Sequence, residues 1–222
     1  MNAIILGAGS EIAKELTVRL HVDGWTVFGW ARGDRVDTLP EWSLLVSCIG
    51  TVAPVGWWYE QHYEEWEASV DSNLFTPLRL LRELWPRRTK DASVCFMAGS
   101  NPNTAMPGYS AYNAGKMALL KLTEQLDAES PDCKFFALGP GYIPTKIHAP
   151  TLDANWPNPR IMSGKPPATH DDVYRCLKWC LAQPREVVGG RNVCASDPHD
   201  DYLAQYLERD PSLFKLRRYE SF

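Results

Sequence analysis

Short apolar runs alternate with longer segments of helical period along the chain. "AIILG" closes on a glycine after four apolar residues, and "SEIAKELTVRLHVDG" then carries apolar positions at helical spacing up to Gly24. "WTVFGWA" follows as a second strand-like run. The alternation continues with strands in "SLLVSCIG", "ASVCFMAGS", "CKFFALGPG" and "GGRNVCAS", and with helices in "YEEWEASVDSNLFTPLRLLREL", "YSAYNAGKMALLKLTEQLDAE" and "THDDVYRCLKWCLAQ". Strands alternating with helices are joined by right-handed crossovers, so the pattern predicts an α/β fold: a Rossmann-like, doubly wound, mainly parallel sheet with helices on both faces. At 222 residues the chain is expected to form a single domain over 1–222. The Pro-rich stretch from Pro140 to Pro167 breaks the rhythm and is too long for a plain connection. It is read as a substrate-covering loop around 142–167.

A net charge of −4 gives no basic footprint for nucleic acid. The one local basic run, "WPRRTK" ending at Lys90, is read as a solvated helix end. Cysteines at 48, 95, 133, 176, 180 and 194 are scattered through apolar segments without the close pairing of a zinc site. Cys176 and Cys180 lie one helical turn apart, a spacing open to a metal, but they read as core thiols and no metal site is expected. The chain starts directly on a strand, without a basic leader or an apolar run near the ~20 residues a membrane span needs. A cytoplasmic protein with no membrane partner is expected.

Candidate chemistry begins in the turn "GAGSEIA", where the first strand meets the first helix. A doubly wound sheet places a pyrophosphate there, because exposed N–H groups and the helix dipole converge, which nominates Gly7, Gly9, Ser10, Glu11 and Ile12. Arg32 follows the second strand, where an acidic residue would accept from a free ribose 2′-hydroxyl and an Arg can instead pair with a 2′-phosphate. Asp34 and Asp37 stand close enough to compete for it. Farther on, Ser100 ends a central strand, and Tyr112 and Lys116 share one face of the next helix; Tyr109 has only Asn113 at the same offset. A phenol with pKa near 10 is a poor base at neutral pH, and an adjacent ammonium favours the phenolate.

Taken together, these residues resemble the short-chain dehydrogenase/reductase family in its compact form, from the first strand through "GGRNVCAS". The resemblance maps the family's Tyr-x-x-x-Lys pair to Tyr112 and Lys116, its serine to Ser100 and its helix asparagine to Asn73 in "VDSNLF". "GPGYIPTKI" is similar to the family's Pro-Gly turn and places Pro140, Gly141, Ile143 and Thr145 on the nicotinamide side of the cofactor. The implied activity is carbonyl reduction or alcohol oxidation by hydride transfer on a small-molecule substrate. Tyr112 would be the general acid/base, Lys116 would hold the nicotinamide ribose, Ser100 would orient the carbonyl and Asn73 would hold a water. NADPH is expected over NADH, and pairing through the helices of Asn73 and Tyr112, with their apolar runs "LFTPLRLL" and "MALLKL", implies a homodimer or homotetramer. The alternative is a catalytically weak NADP-binding sensor or scaffold protein.

Three positions depart from the family pattern. Its Gly-x-x-x-Gly-x-Gly turn becomes Gly7, Glu11 and Ala13, so a side chain stands where the family keeps the backbone bare. Its Asn-Asn-Ala-Gly becomes Ser47, Cys48, Ile49 and Gly50, keeping only Gly50 for the cofactor. "GDRVDTLPEW" is too short for the helix and strand the family inserts there, which predicts a sheet trimmed on that edge. Trp57, Trp58 and Tyr109 suggest an aromatic-lined substrate pocket.

Overall fold

The computed structural model describes residues 1–99, 104–162 and 164–217. Strands β1 (Asn2–Leu6), β2 (Thr26–Trp30), β3 (Trp42–Ser47), β4 (Arg88–Met97), β5 (Cys133–Gly139) and β6 (Asn192–Cys194) form one sheet. The helices are α1 (Glu11–Val22), α2 (Tyr63–Val70), α3 (Thr76–Leu84), α4 (Ser110–Glu129), α5 (Ala149–Asp153), α6 (Pro159–Met162), α7 (His170–Ala182), α8 (Arg185–Val188) and α9 (Asp201–Arg209).

The strand order is β2-β1-β3-β4-β5-β6, and each neighbouring pair is parallel. The chain winds outward from β1 to the edge strand β2, then crosses back to β3 on the other side of β1. The carboxyl ends of β1 and β3 therefore flank the switch point, where an open α/β sheet binds its ligands. The trimmed edge expected from "GDRVDTLPEW" is present: between β2 and β3 there is room only for a 3₁₀ turn at Val36–Thr38, and β2 closes the sheet.

Alternation along each strand builds two cores. Ala3, Ile5, Cys95 and Met97 pack under α1, α7 and α9, with Leu16, Leu20, Val173, Leu177, Leu203 and Leu207. Ile4, Leu6, Val94 and Phe96 face the opposite way, against Leu80, Leu81 and Leu84 of α3 and Leu119 of α4. A sheet covered on both faces explains why its inner strands read as continuous apolar runs, whereas the edge strand β2 is only half-buried. Cys176 and Cys180 are fully buried in the first core as free thiols.

The segment "WPRRTK" is a helix end only as far as Arg87. Trp85–Arg87 forms a 3₁₀ turn and β4 already begins at Arg88. Arg88 stacks 3.9 Å above the Trp85 ring and pairs with Asp132 at 2.8 Å, so its charge is compensated while its stem extends the strand.

Two cations, half-buried Lys134 and buried Arg191, finish helices. Lys134 Nζ donates to the carbonyls of Cys180, Leu181 and Gln183, closing the last turn of α7. Arg191 donates to the carbonyls of Leu207, Asp210 and Leu213, which fastens the end of α9.

Candidate active site

The turn after β1 is shaped by one glycine. Gly7 has φ +79°, and a Cβ there would come within 3.1 Å of the Cys48 carbonyl carbon, so the ends of β1 and β3 approach as closely as they do only without a side chain. Ser10 then caps α1, its hydroxyl accepting from Ala13 N–H at 3.2 Å. The N–H groups of Glu11 and Ile12 in the first turn have no intrahelical partner and remain for an anion. Glu11, standing in the family's bare position, turns its carboxylate across the cleft and accepts from Lys146 N–H at 2.8 Å.

This cleft, of about 360 Å³, is lined by Gly9, Ser10, Glu11, Ile12, Gly50, Tyr112, Lys116, Pro140 and Thr145. Sequence reasoning missed the remaining wall: Lys14, Thr51 and Met97 belong to no motif and arrive through the fold, while Cys48 and Lys146 lie inside motif segments without having been nominated for the cofactor. Ile143 instead packs in the core, and Gly141 lines the neighbouring pocket.

Behind the cleft, Asn73 sits fully buried in a π-helical turn, Asp71–Phe75, that joins α2 to α3 and widens the single helix read from the sequence. Its amide donates to the carbonyls of Thr51 (2.8 Å) and Ser69 (2.9 Å), and its oxygen accepts from Thr51 N–H at 3.3 Å. Both amide hydrogens are thus spent on tying the β3 loop to the helix. A Cβ at Gly50 would lie 2.8 Å from the Asn73 oxygen and 3.0 Å from Lys116 Nζ, so the glycine keeps this corner bare. Gly115 on α4 serves the same approach, since a Cβ there would meet the Asn73 Cβ at 2.7 Å.

Lys116 is 4% exposed, and its Nζ donates to the carbonyls of Met97 (2.8 Å) and Ile49 (3.1 Å). Two of its three hydrogens are engaged, leaving one for a group entering the cleft. Burial lowers its pKa to about 8. One turn earlier, Tyr112 is half-buried, and desolvation raises its phenol to about 12. The expectation that the adjacent Lys116 ammonium favours the phenolate is corrected here: desolvation by burial governs the Tyr112 proton, and the ammonium donates to backbone carbonyls. Ser100 lies outside the described residues. The preceding Gly99 brings its backbone against the phenol, since a Cβ on it would lie 3.7 Å from Tyr112 Oη.

On the other side of Tyr112 lies a pocket of about 220 Å³. Val52, Met106 and Met117 make its apolar part, and Asn113, Tyr142, His148, Asn158 and Arg160 its polar part. Of the aromatic residues expected here, Tyr109 lines the pocket, as do Tyr112 and Tyr142, whereas Trp57 and Trp58 are 46% and 71% exposed and do not, Trp57 lying edge-on to Trp156 at 5.1 Å. Tyr109 is buried in the wall and donates to Thr151 Oγ1 at 3.1 Å, so the second tyrosine of "YSAYNAGK" anchors α5. Trp156 covers Gly108 and donates to the Pro107 carbonyl at 2.9 Å, which fastens the segment after α5. Among the described residues, Tyr112 is the one residue that lines both cleft and pocket.

Arg32 stands exposed beyond the end of β2, with no hydrogen-bond or ion-pair partner among the described residues. Its two acidic neighbours are occupied elsewhere: Asp34 accepts from Ala31 N–H at 2.7 Å, and Asp37 is paired with Arg35.

A parallel doubly wound sheet with a glycine turn at its switch point and a Tyr–Lys helix beside it defines a Rossmann-like protein. A family model described as Enoyl-(Acyl carrier protein) reductase matches residues 8–163, and the chain belongs to the short-chain dehydrogenase/reductase family. It is 39% identical over 84 residues to Short-chain dehydrogenase/reductase SDRA of Arabidopsis thaliana, covering 36% of this chain and 30% of that protein. To Short chain dehydrogenase tazN of Aspergillus terreus it is 28% identical over 160 residues, covering 68% of this chain and 34% of that protein. The matches span about a third of the length of these curated relatives. A small-chain dehydrogenase solved in complex with NADPH shares the fold, with TM-score 0.76 and 17% identity over 87% of this chain and 95% of that one. No described helix is long and apolar enough to cross a membrane.

Proposed function

We propose that the chain is an NADPH-dependent oxidoreductase that reduces a small carbonyl compound, or oxidises the corresponding alcohol, with Tyr112 as general acid/base. The observation that carries this reading is the position of Tyr112, which faces the cofactor cleft on one side and the substrate pocket on the other. The cleft fits a nicotinamide dinucleotide: first-turn N–H groups await an anion, and Gly50 keeps bare a corner beside Lys116 that a Cβ would fill. When bound, the nicotinamide supplies the hydride.

The protein's part is to hold and move the proton. With its pKa near 12 the phenol is fully protonated at neutral pH, which suits it to donate to a carbonyl oxygen as that oxygen gains charge, and favours reduction as the working direction. The phenolate left behind is stabilised by Lys116 one turn away and regains its proton from solvent. Ser100 is assigned to orient the carbonyl. Asn73 keeps the β3 loop and the widened helix in place. Arg32, free of acidic partners, favours a 2′-phosphate and hence NADPH over NADH; the small-chain dehydrogenase complex with NADPH supports the same cofactor.

The reading extends to a homodimer or homotetramer through α3 and α4, where Phe75 is about half exposed and Leu78 and Leu126 line a groove. It also places the enzyme in the cytoplasm, in keeping with six free thiols. NADPH fluorescence on mixing, followed by turnover against a panel of ketones and aldehydes, tests the function. Binding with turnover supports it. Binding without turnover across the panel would favour the sensor or scaffold alternative.

A further inference from the structure

The end of β4 is pinned one residue after another, each time by a different element. The Met97 carbonyl accepts from Lys116 Nζ of α4 at 2.8 Å. Ala98 N–H donates to the Leu138 carbonyl of β5 at 2.9 Å. The Gly99 carbonyl accepts from Asn192 Nδ2, at the start of β6, at 3.1 Å, and among the described residues this is the one hydrogen bond that Gly99 makes. Gly99 is the backbone that lies against the Tyr112 phenol, with a Cβ on it falling 3.7 Å from Oη, and it lines the substrate pocket with Tyr112. Ser100, assigned to the substrate carbonyl, is the next residue in the chain.

Asn192 is an expensive residue in its own setting. It is 9% exposed, and its register partner on β5 is Ala137, which belongs to the apolar cluster of Ala98, Leu120 and Ala137. Nδ2 is engaged by Gly99, while the buried Oδ1 has no partner among the described residues. A buried acceptor left unpaired destabilises a fold, and an apolar side chain of the same size avoids that cost. The strand does not need the amide, because backbone groups hold it: Asn192 N–H donates to the Phe214 carbonyl and the Arg191 carbonyl accepts from Ala137 N–H, both at 2.8 Å. What the side chain adds is the Gly99 contact.

We propose that Asn192 is a positioning residue of the active site: by holding the Gly99 carbonyl it fixes the turn after β4, and with it the backbone beside Tyr112 and the place of Ser100. The phenol receives no hydrogen bond from the described residues, so packing places it, and Gly99 is part of that packing. Asn192 touches neither cleft nor pocket and acts through the turn alone. Its effect on the reaction rests on the reading of Tyr112 as general acid; its effect on the geometry around Tyr112 does not.

The test is Asn192→Leu, which keeps the volume and removes both polar atoms. With NADPH bound in advance, hydride transfer to a carbonyl compound that wild type reduces is expected to slow at least about tenfold, since small misplacements of aligned groups cost that much. NADPH affinity should stay within about twofold. Tm should stay within about 4 °C of wild type, because the lost hydrogen bond and the lost unpaired acceptor offset each other. A rate within about twofold of wild type overturns the proposal. So does slowing that comes with a larger fall in Tm or weaker NADPH binding, which would show a general structural role. Asn192→Val, suited to a strand, takes the place of the Leu variant if that variant does not fold, and failure of both to fold overturns the proposal on the same ground. If wild type reduces no carbonyl compound, the hydride-transfer reading fails by itself and the ligand-free protein decides the positioning. The ζ-carbon NMR signal of Tyr112, assigned with Tyr112→Phe in isotope-labelled protein, should move in Asn192→Leu while those of Tyr59 and Tyr174 stay. A Tyr112 signal that does not move, or one that moves together with the other two, overturns the proposal.

Discussion

Replacing Lys116 by methionine should make the ligand-free protein more stable while removing its activity. The ammonium is 4% exposed, and burial sets its pKa at about 8 instead of 10.5, a difference of about 2.5 units. At about 1.4 kcal/mol per unit, keeping it charged costs roughly 3 kcal/mol at pH 7. Against that stand the hydrogen bonds to Met97 and Ile49, whose loss costs about 1 kcal/mol each. The net gain for Lys116→Met at neutral pH is then about 1–2 kcal/mol, or roughly 2–8 °C in Tm for a chain of this size. The sign of the pH dependence follows from proton counts. Between pH 8 and 10.5 the unfolded lysine binds more protons than the folded one, so wild type gains stability as pH rises through that window. The methionine variant has no such term, and its advantage shrinks and then reverses. Thermal melts of both ligand-free proteins at pH 7 and at pH 10 measure this. A variant less stable than wild type at pH 7, or a stability difference independent of pH, would refute the argument that Lys116 is a strained charge kept for function.

Arg32→Ala should lower the NADPH to NADH ratio of kcat/KM by about ten- to a hundredfold, since a charge-assisted contact of roughly 1.5–3 kcal/mol is lost; an unchanged ratio would move the adenosine contact away from the end of β2. Arg191→Ala should cost about 3–5 kcal/mol, because the carbonyls of Leu207, Asp210 and Leu213 lose a buried donor, and hydrogen exchange should find α9 opening before the rest of the chain. Urea melts showing less than about 1 kcal/mol of loss would mean that α9 is held by Leu203 and Leu207 alone.

Much of this fold was legible because two-sided burial writes a strand as an apolar run and one-sided burial writes a helix as a stripe. The inner strands β1, β3, β4 and β5 and the long helices α1, α4 and α7 follow those rules, while the edge strand β2 is only partly covered. What escaped depends on contacts distant in sequence. The basic character of "WPRRTK" suggested a solvated helix end, but Trp85 and Asp132 compensate Arg88 and allow it to open β4. Helix α9 is secured by Arg191, which in the sequence reads as one more solvated arginine, although four carbonyls accept from it. The Tyr–Lys spacing placed Tyr112 and Lys116 on one face, yet no spacing rule reveals that Lys116 spends two hydrogens on carbonyls of β4 and the loop after β3. Nor could the Pro-rich segment disclose Arg160, since α6 takes its place through Asn158 and Tyr109, 49 residues apart. Glu11 was visible as an intruder in the glycine turn; its partner, Lys146 N–H, lies 135 residues away.

The central claim is that Tyr112 transfers the proton at the meeting point of cleft and pocket. Tyr112→Phe tests it most directly, because the ring keeps its packing and only the Oη leaves. Single-turnover NADPH oxidation with a carbonyl substrate that wild type reduces should slow by at least about a hundredfold, with NADPH affinity by fluorescence titration unchanged within about twofold. A Phe variant that transfers hydride at a rate close to wild type would contradict the account, for the proton would then come from a group other than Tyr112.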